Sequence, residues 1–193
     1  MNDQLEQKKN DRTLFGFWIY LMTDLMMFAV LFASYAVLRH NTFGSVSIDQ
    51  IENLPFVLIE TLVLLTSSFT AGLGTIAVTK HDKDKTLLWF GITFLLGLSF
   101  LIMEITEFSH LIAEGHTYQT SAFLSSFFTL LGTHGLHIAV GLLWLIILIT
   151  QILHDGLREN VVSKFERLGM FWHFLDIVWI FIFTFVYLIG GIK

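Results

Sequence analysis

The sequence contains no cysteine. That excludes disulfides, thiolate metal sites, cysteine-bound haem and iron–sulfur clusters. Charge is also scarce. Only 14% of the 193 residues are Asp, Glu, Lys or Arg, and the net charge is −5, which gives no reason to expect nucleic-acid binding. There is one proline, Pro55, and there is no internal repeat and no low-complexity segment. What the chain has in abundance is apolar surface: 54% hydrophobic residues and a mean hydropathy of +0.70. A soluble domain of this size does not need so much, and the balance indicates an integral membrane protein built as one bundle.

Five apolar stretches predict an all-α membrane domain over residues 14–193, with spans at about 14–38, 55–79, 86–112, 121–153 and 165–190. Residues 1–13 are polar and are read as a frayed or weakly helical segment on the cytoplasmic side. The apolar run that follows is too long for a signal h-region and has no A-x-A-like site after it, so it is read as a retained first span. Pro55 falls at a helix start, where its missing N–H does no harm, with Asn53 as the expected cap. Each stretch exceeds the ~20 residues that cross a bilayer core, which implies tilt or interfacial extension.

Lys and Arg set the expected orientation. Nine of the 11 (Lys8, Lys9, Arg12, Lys80, Lys83, Lys85, Arg158, Lys164 and Arg167) fall on one side of a five-span chain, and only Arg39 and Lys193 on the other. The positive-inside rule then places the N-terminus in the cytoplasm and the C-terminus in the periplasm.

The most informative stretch is 164–193, KFERLGMFWHFLDIVWIFIFTFVYLIGGIK. His173 and Asp176 interrupt about twenty apolar residues, and an unpartnered charge at such a depth costs about 2.5–3.5 kcal/mol. The two share one helical face, which Thr184 and Tyr187 continue, so this span turns a polar stripe into protein. Other spans supply groups to meet it. The first carries Asp24, read as a buried carboxyl group with a structural or lipid-packing role. The second carries Glu60, in a seam with Ser67, Ala71 and Gly74 suited to close packing. The third ends in Glu104, Glu107 and His110. The fourth carries Ser126, Thr129, Thr133, His137, Gly141 and Trp144 on one face, with His134 beside it.

The ordinary reading of this set is an interhelical polar network that locks the bundle, because polar side chains in membranes face inward and pair. On that reading His137 and Asp176 are expected to pair, making spans four and five the packing centre. A second reading is a metal site: Glu107-Phe-Ser-His110 has the Glu-x-x-His form of di-iron bundles, and His134, His137, His173 and Asp176 could complete a ligand set. Against it, the motif occurs once where a di-metal site needs two. A third is a proton relay, as in a small proton-coupled carrier. The tryptophans Trp18, Trp89 and Trp172 are expected in an interfacial aromatic belt.

Three strings go further. GFWIYLMTDLMMFAVLFASYAVL, LLGTHGLHIAVGLLW and FWHFLDIVWIFIFTFVYLIGG together resemble subunit III of the haem–copper terminal oxidases. PFVLIETLVLLTSSFTAG and MEITEFSHLI also fit, and the resemblance covers about Phe15 to Gly191. Longer members of that family have seven spans. The five-span form, with Asp24 where others carry Glu, is similar to the bacterial cytochrome bo-type ubiquinol oxidase version. The resemblance implies a non-catalytic subunit of a proton-pumping complex in the bacterial inner membrane, which oxidises ubiquinol and reduces oxygen to water. It implies direct contact with subunit I, which would hold the haems and copper, and subunits II and IV in the same complex. This chain would hold phospholipid and no cofactor, metal or catalytic residue of its own. In the long form the two missing helices wall a lipid-filled cleft, so here that wall would come from another subunit or be absent.

Overall fold

Long apolar runs without internal proline become helices in lipid, because every backbone N–H must find its acceptor within the segment. The computed structural model describes residues 2–42 and 54–190, with side chains for 11–42, 54–154 and 156–190. Five long helices follow in order: α1 (Asn2–Leu38), α2 (Leu54–Thr79), α3 (Lys83–Ala113), α4 (Ala122–Asp155) and α5 (Glu159–Ile182). A six-residue π-helical segment, Phe183–Leu188, continues α5. All five are long and apolar enough to cross a membrane, and the described residues contain no strand. The helix α1 begins at Asn2, so the polar segment continues the helix instead of fraying. The expected cap Asn53 lies outside the described residues.

Local chemistry fixes two of the starts. Ser121 accepts a hydrogen bond from the backbone of Leu124 (3.1 Å), which opens α4. Asp82 opens α3: its carboxylate accepts from the Lys85 backbone (3.2 Å) and pairs with Lys85 Nζ (2.8 Å). The bond from the Lys85 side chain, followed by that from its backbone, holds the Asp82 carboxyl below the ordinary carboxylate range. A depressed carboxyl stabilises the fold above its unfolded pKa and stops doing so as pH falls through its folded one. Asp82→Ala is therefore expected to lower the Tm of the purified protein at neutral pH and to make no difference well below pH 3.8, the ordinary value. An equal difference at both pH values would show that the cap is not electrostatic.

The helices α2 and α3 share the most extensive contact, and α4–α5 comes next. The small-residue seam of α2 explains this, since Ser67, Ala71 and Gly74 are all buried. This corrects the expectation that the last two spans form the packing centre. The last helix instead touches all four others, α4 and α2 most extensively, then α1, and α3 through ring contacts such as Phe100–Trp179. It fits closely because of Gly97 on α3: a Cβ there would lie 2.7 Å from the Trp172 ring.

Candidate functional site

The polar side chains at membrane depth gather in three places. The first is a set of hydroxyls that receives two buried indoles of α5. Trp172 donates to Ser67 (3.1 Å), and Ser67 donates to the Thr93 carbonyl (3.2 Å). Thr70 and Thr93 join hydroxyl to hydroxyl at 2.8 Å. Trp179 donates to Thr61 (3.0 Å), which donates to the Val57 carbonyl (2.8 Å). Trp172 is thus a core residue and not a belt residue, a correction that follows from its bonded indole N–H. Trp18 remains exposed, as a belt residue would be.

The second place lies toward the end of the bundle where α1 finishes and α2 begins. Glu60 and Glu104 are fully enclosed there and interact electrostatically with Glu107. Tyr187, carried on the π-helical segment, faces all three carboxyl groups. The Glu104 carboxylate rests on the α4 backbone at Gly135, where a Cβ would come within 2.6 Å of Oε2. Both oxygens of Glu60 and of Glu104 lack a hydrogen-bond partner among the described residues.

The third place is the α1–α4 contact. His137 Nδ1 bonds the Thr133 carbonyl (2.7 Å), and Nε2 faces Asp24 Oδ2 at 3.8 Å. A carbonyl can only accept, so Nδ1 carries its proton and Nε2 is turned to the carboxyl group. Asp24 is buried, and the side chain facing it is His137. The anticipated His137–Asp176 pair does not form. His137 is drawn to α1, while Asp176 lies with His173 and Ser68 in a groove between α2 and α5. His173 Nδ1 bonds the Ser68 hydroxyl at 2.8 Å.

The metal reading fares poorly on this geometry. His110 points outward to Glu114 (3.5 Å), while Glu107 turns inward, so the Glu-x-x-His pair is split. His134 is fully buried between aromatic rings, stacked on Trp179 at 5.3 Å and edge-on to Phe100 at 6.0 Å. Among the described residues no three His, Asp or Glu side chains are grouped to hold a metal ion. Ser68, Thr61 and Thr93 escaped the sequence reading, and the signal was available: hydroxyls inside apolar spans need acceptors.

These features define a bundle of five helices long and apolar enough to cross a membrane, with Asp24, Glu60, Glu104 and His134 buried inside it. The chain belongs to the cytochrome c oxidase subunit III family, whose description matches residues 7–191. It is 54% identical over 180 residues to subunit 3 of the cytochrome bo(3) ubiquinol oxidase of Pseudomonas aeruginosa, covering 93% of this chain and 86% of that one. It is 50% identical over 178 residues to the protein of the same description from Pseudomonas putida (92% and 86%). It is also 46% identical over 175 residues to cytochrome c oxidase subunit 3 of Bacillus sp. strain PS3 (91% and 84%).

Proposed function

We propose that this chain is a non-catalytic subunit of a proton-pumping ubiquinol oxidase of the bacterial inner membrane. In that complex ubiquinol is oxidised, oxygen is reduced to water, and the haems and copper reside in subunit I. The observation that carries this reading is the 54% identity to a bo(3) ubiquinol oxidase subunit 3 across nearly the whole chain. The interior supports it, since His134 is enclosed by aromatic rings and His110 is turned away from Glu107. The chain contacts subunit I directly, with subunits II and IV in the same assembly, and holds phospholipid. A groove of about 550 Å³ between α1 and α5 suits an acyl chain: Trp18, Leu21, Leu25, Phe28, Phe32 and Phe174 line it. The test is co-purification of a tagged chain from native membranes. Haem absorbance and ubiquinol oxidation should travel with the tag; iron or zinc bound stoichiometrically to the isolated polypeptide would favour the di-metal alternative.

The 46% identity to a cytochrome c oxidase subunit supports a second reading, in which the complex takes electrons from cytochrome c. Oxidation of reduced cytochrome c but not ubiquinol by the purified complex would decide for it.

The orientation follows from the nine-to-two split of Lys and Arg, with the N-terminus in the cytoplasm. Lys83→Cys and Glu114→Cys stand at opposite ends of α3. An impermeant thiol reagent applied to spheroplasts should label the second and spare the first. Labelling of both from one side would defeat the five-span topology.

A further inference from the structure

The two grooves beside α5 differ in chemistry. The one against α1 is walled by apolar side chains, with His173 its one ionisable residue. The one against α2, about 340 Å³, contains Ser68, His173 and Asp176. His173 stands midway along the Glu159–Leu188 span, and Ser68 near the middle of α2. Each lies roughly 20 Å from its helix ends, beyond the reach of lipid head groups. Asp176 Oδ1 is buried and lacks a hydrogen-bond partner among the described residues. His173 spends Nδ1 on Ser68, and its ring is exposed in the groove.

Acyl chains offer no hydrogen bond, so a carboxyl group and an imidazole turned outward at this depth are costly against lipid. The floor is small: Ser68 and Gly72 let another backbone come close. The rim is apolar and open, with Phe69 67%, Ile76 51% and Leu65 38% exposed. A polar centre, a small-residue floor and an apolar rim match the side of a second spanning helix with one polar residue in its middle.

We propose that the α2–α5 groove is the docking site for a spanning helix of another subunit of the complex, which presents a hydroxyl, amide or guanidinium donor to Asp176. The assignment rests on the subunit reading given above and names the face through which that assembly is made. The partner's donor meets the half-buried Asp176 carboxyl group that lines the groove, and its apolar residues cover Phe69 and Ile76. The α1–α5 groove, which has no comparable acceptor, is left to lipid.

The test uses the purified complex, with a benzophenone side chain introduced at Phe69 or at Ile76. Controls at Leu136 and Leu143 lie on the outward face of α4, 64% and 58% exposed. Both groove positions should cross-link to one spanning segment of another subunit, with a donor residue within a turn of the attached peptide. Asp176→Leu should reduce the haem recovered with the tagged chain at least tenfold at equal amounts of chain in the membrane. Asp176→Asn, which keeps an acceptor oxygen, should reduce it less. Lipid adducts alone, or cross-links to a second copy of this chain, would overturn the docking site in an otherwise intact complex. So would unchanged recovery of Asp176→Leu. Absence of haem from the unmodified preparation would overturn the subunit reading, and this site with it.

Discussion

Trp179→Ala is expected to destabilise the chain by about 3–5 kcal/mol, the usual range for removing a buried tryptophan. Three contacts go at once. The indole is fully buried, it stacks on His134 at 5.3 Å, and it meets Phe100 edge-on at 4.7 Å. Its N–H also anchors the Thr61–Val57 relay on α2. One residue of α5 therefore ties α2, α3 and α4 together, and the void would open where those helices meet. Trp179→Phe keeps an aromatic face and loses mainly the hydrogen bond, worth about 1 kcal/mol. Thermal release of this chain from the purified complex measures both. Ala should release it well below the wild-type Tm and Phe only slightly below. Equal effects of the two would mean that the hydrogen bond, and not the packing, holds the junction.

The same residue shows where sequence reading stops. Span number and approximate span limits were legible, because an apolar run long enough to cross a bilayer is a one-dimensional signal. The enclosure of Glu60, Glu104, His134 and Asp24 was legible too, because polar groups at membrane depth turn inward. Which helix each would meet was not. In water the polar face of a helix marks the outside. In lipid the outside is as apolar as the core, so Trp179, fully buried, and Ile177, half-exposed, look alike in sequence. Spacing of three or four residues likewise gives a stripe and not a partner. His137 and Asp176 both lie on polar stripes, yet one meets α1 and the other faces the α2–α5 groove. The π-helical segment that carries Tyr187 toward the carboxyl cluster has no sequence signature either, since nothing in FTFVYL differs from ordinary helix formers.

His137→Leu is expected to be the most damaging single change at the α1–α4 contact. Removing one partner of a buried ion pair strands the other, at a cost of about 3–5 kcal/mol. The lower end applies here, because the two side chains retain 15% and 12% exposure and sit 3.8 Å apart, an ion-pair distance and not a hydrogen bond. Asp24→Asn should cost less, because a neutral His137 keeps its bond to the Thr133 carbonyl. The double variant Asp24→Leu/His137→Leu should recover part of the loss, with a coupling of about 0.5–3 kcal/mol. Simple additivity would mean that the pair is a contact in space only.

Asp24 is expected to have a structural role and no place in a proton wire. Toward the far end of α1, Leu25 to Ala33 offer no side chain that relays a proton, about 13 Å of helix. Ser34 beyond them spends its hydroxyl on the Val30 carbonyl. Across the contact, the next histidine on α4 is His134, whose ring nitrogens have no hydrogen-bond partner among the described residues and whose neighbours include Trp179 and Phe100. Quinol turnover and proton pumping by the purified Asp24→Asn complex should therefore stay within about twofold of wild type, ~0.4 kcal/mol in barrier terms. A tenfold loss of pumping in a complex that keeps all its subunits would instead put Asp24 and His137 on the proton path.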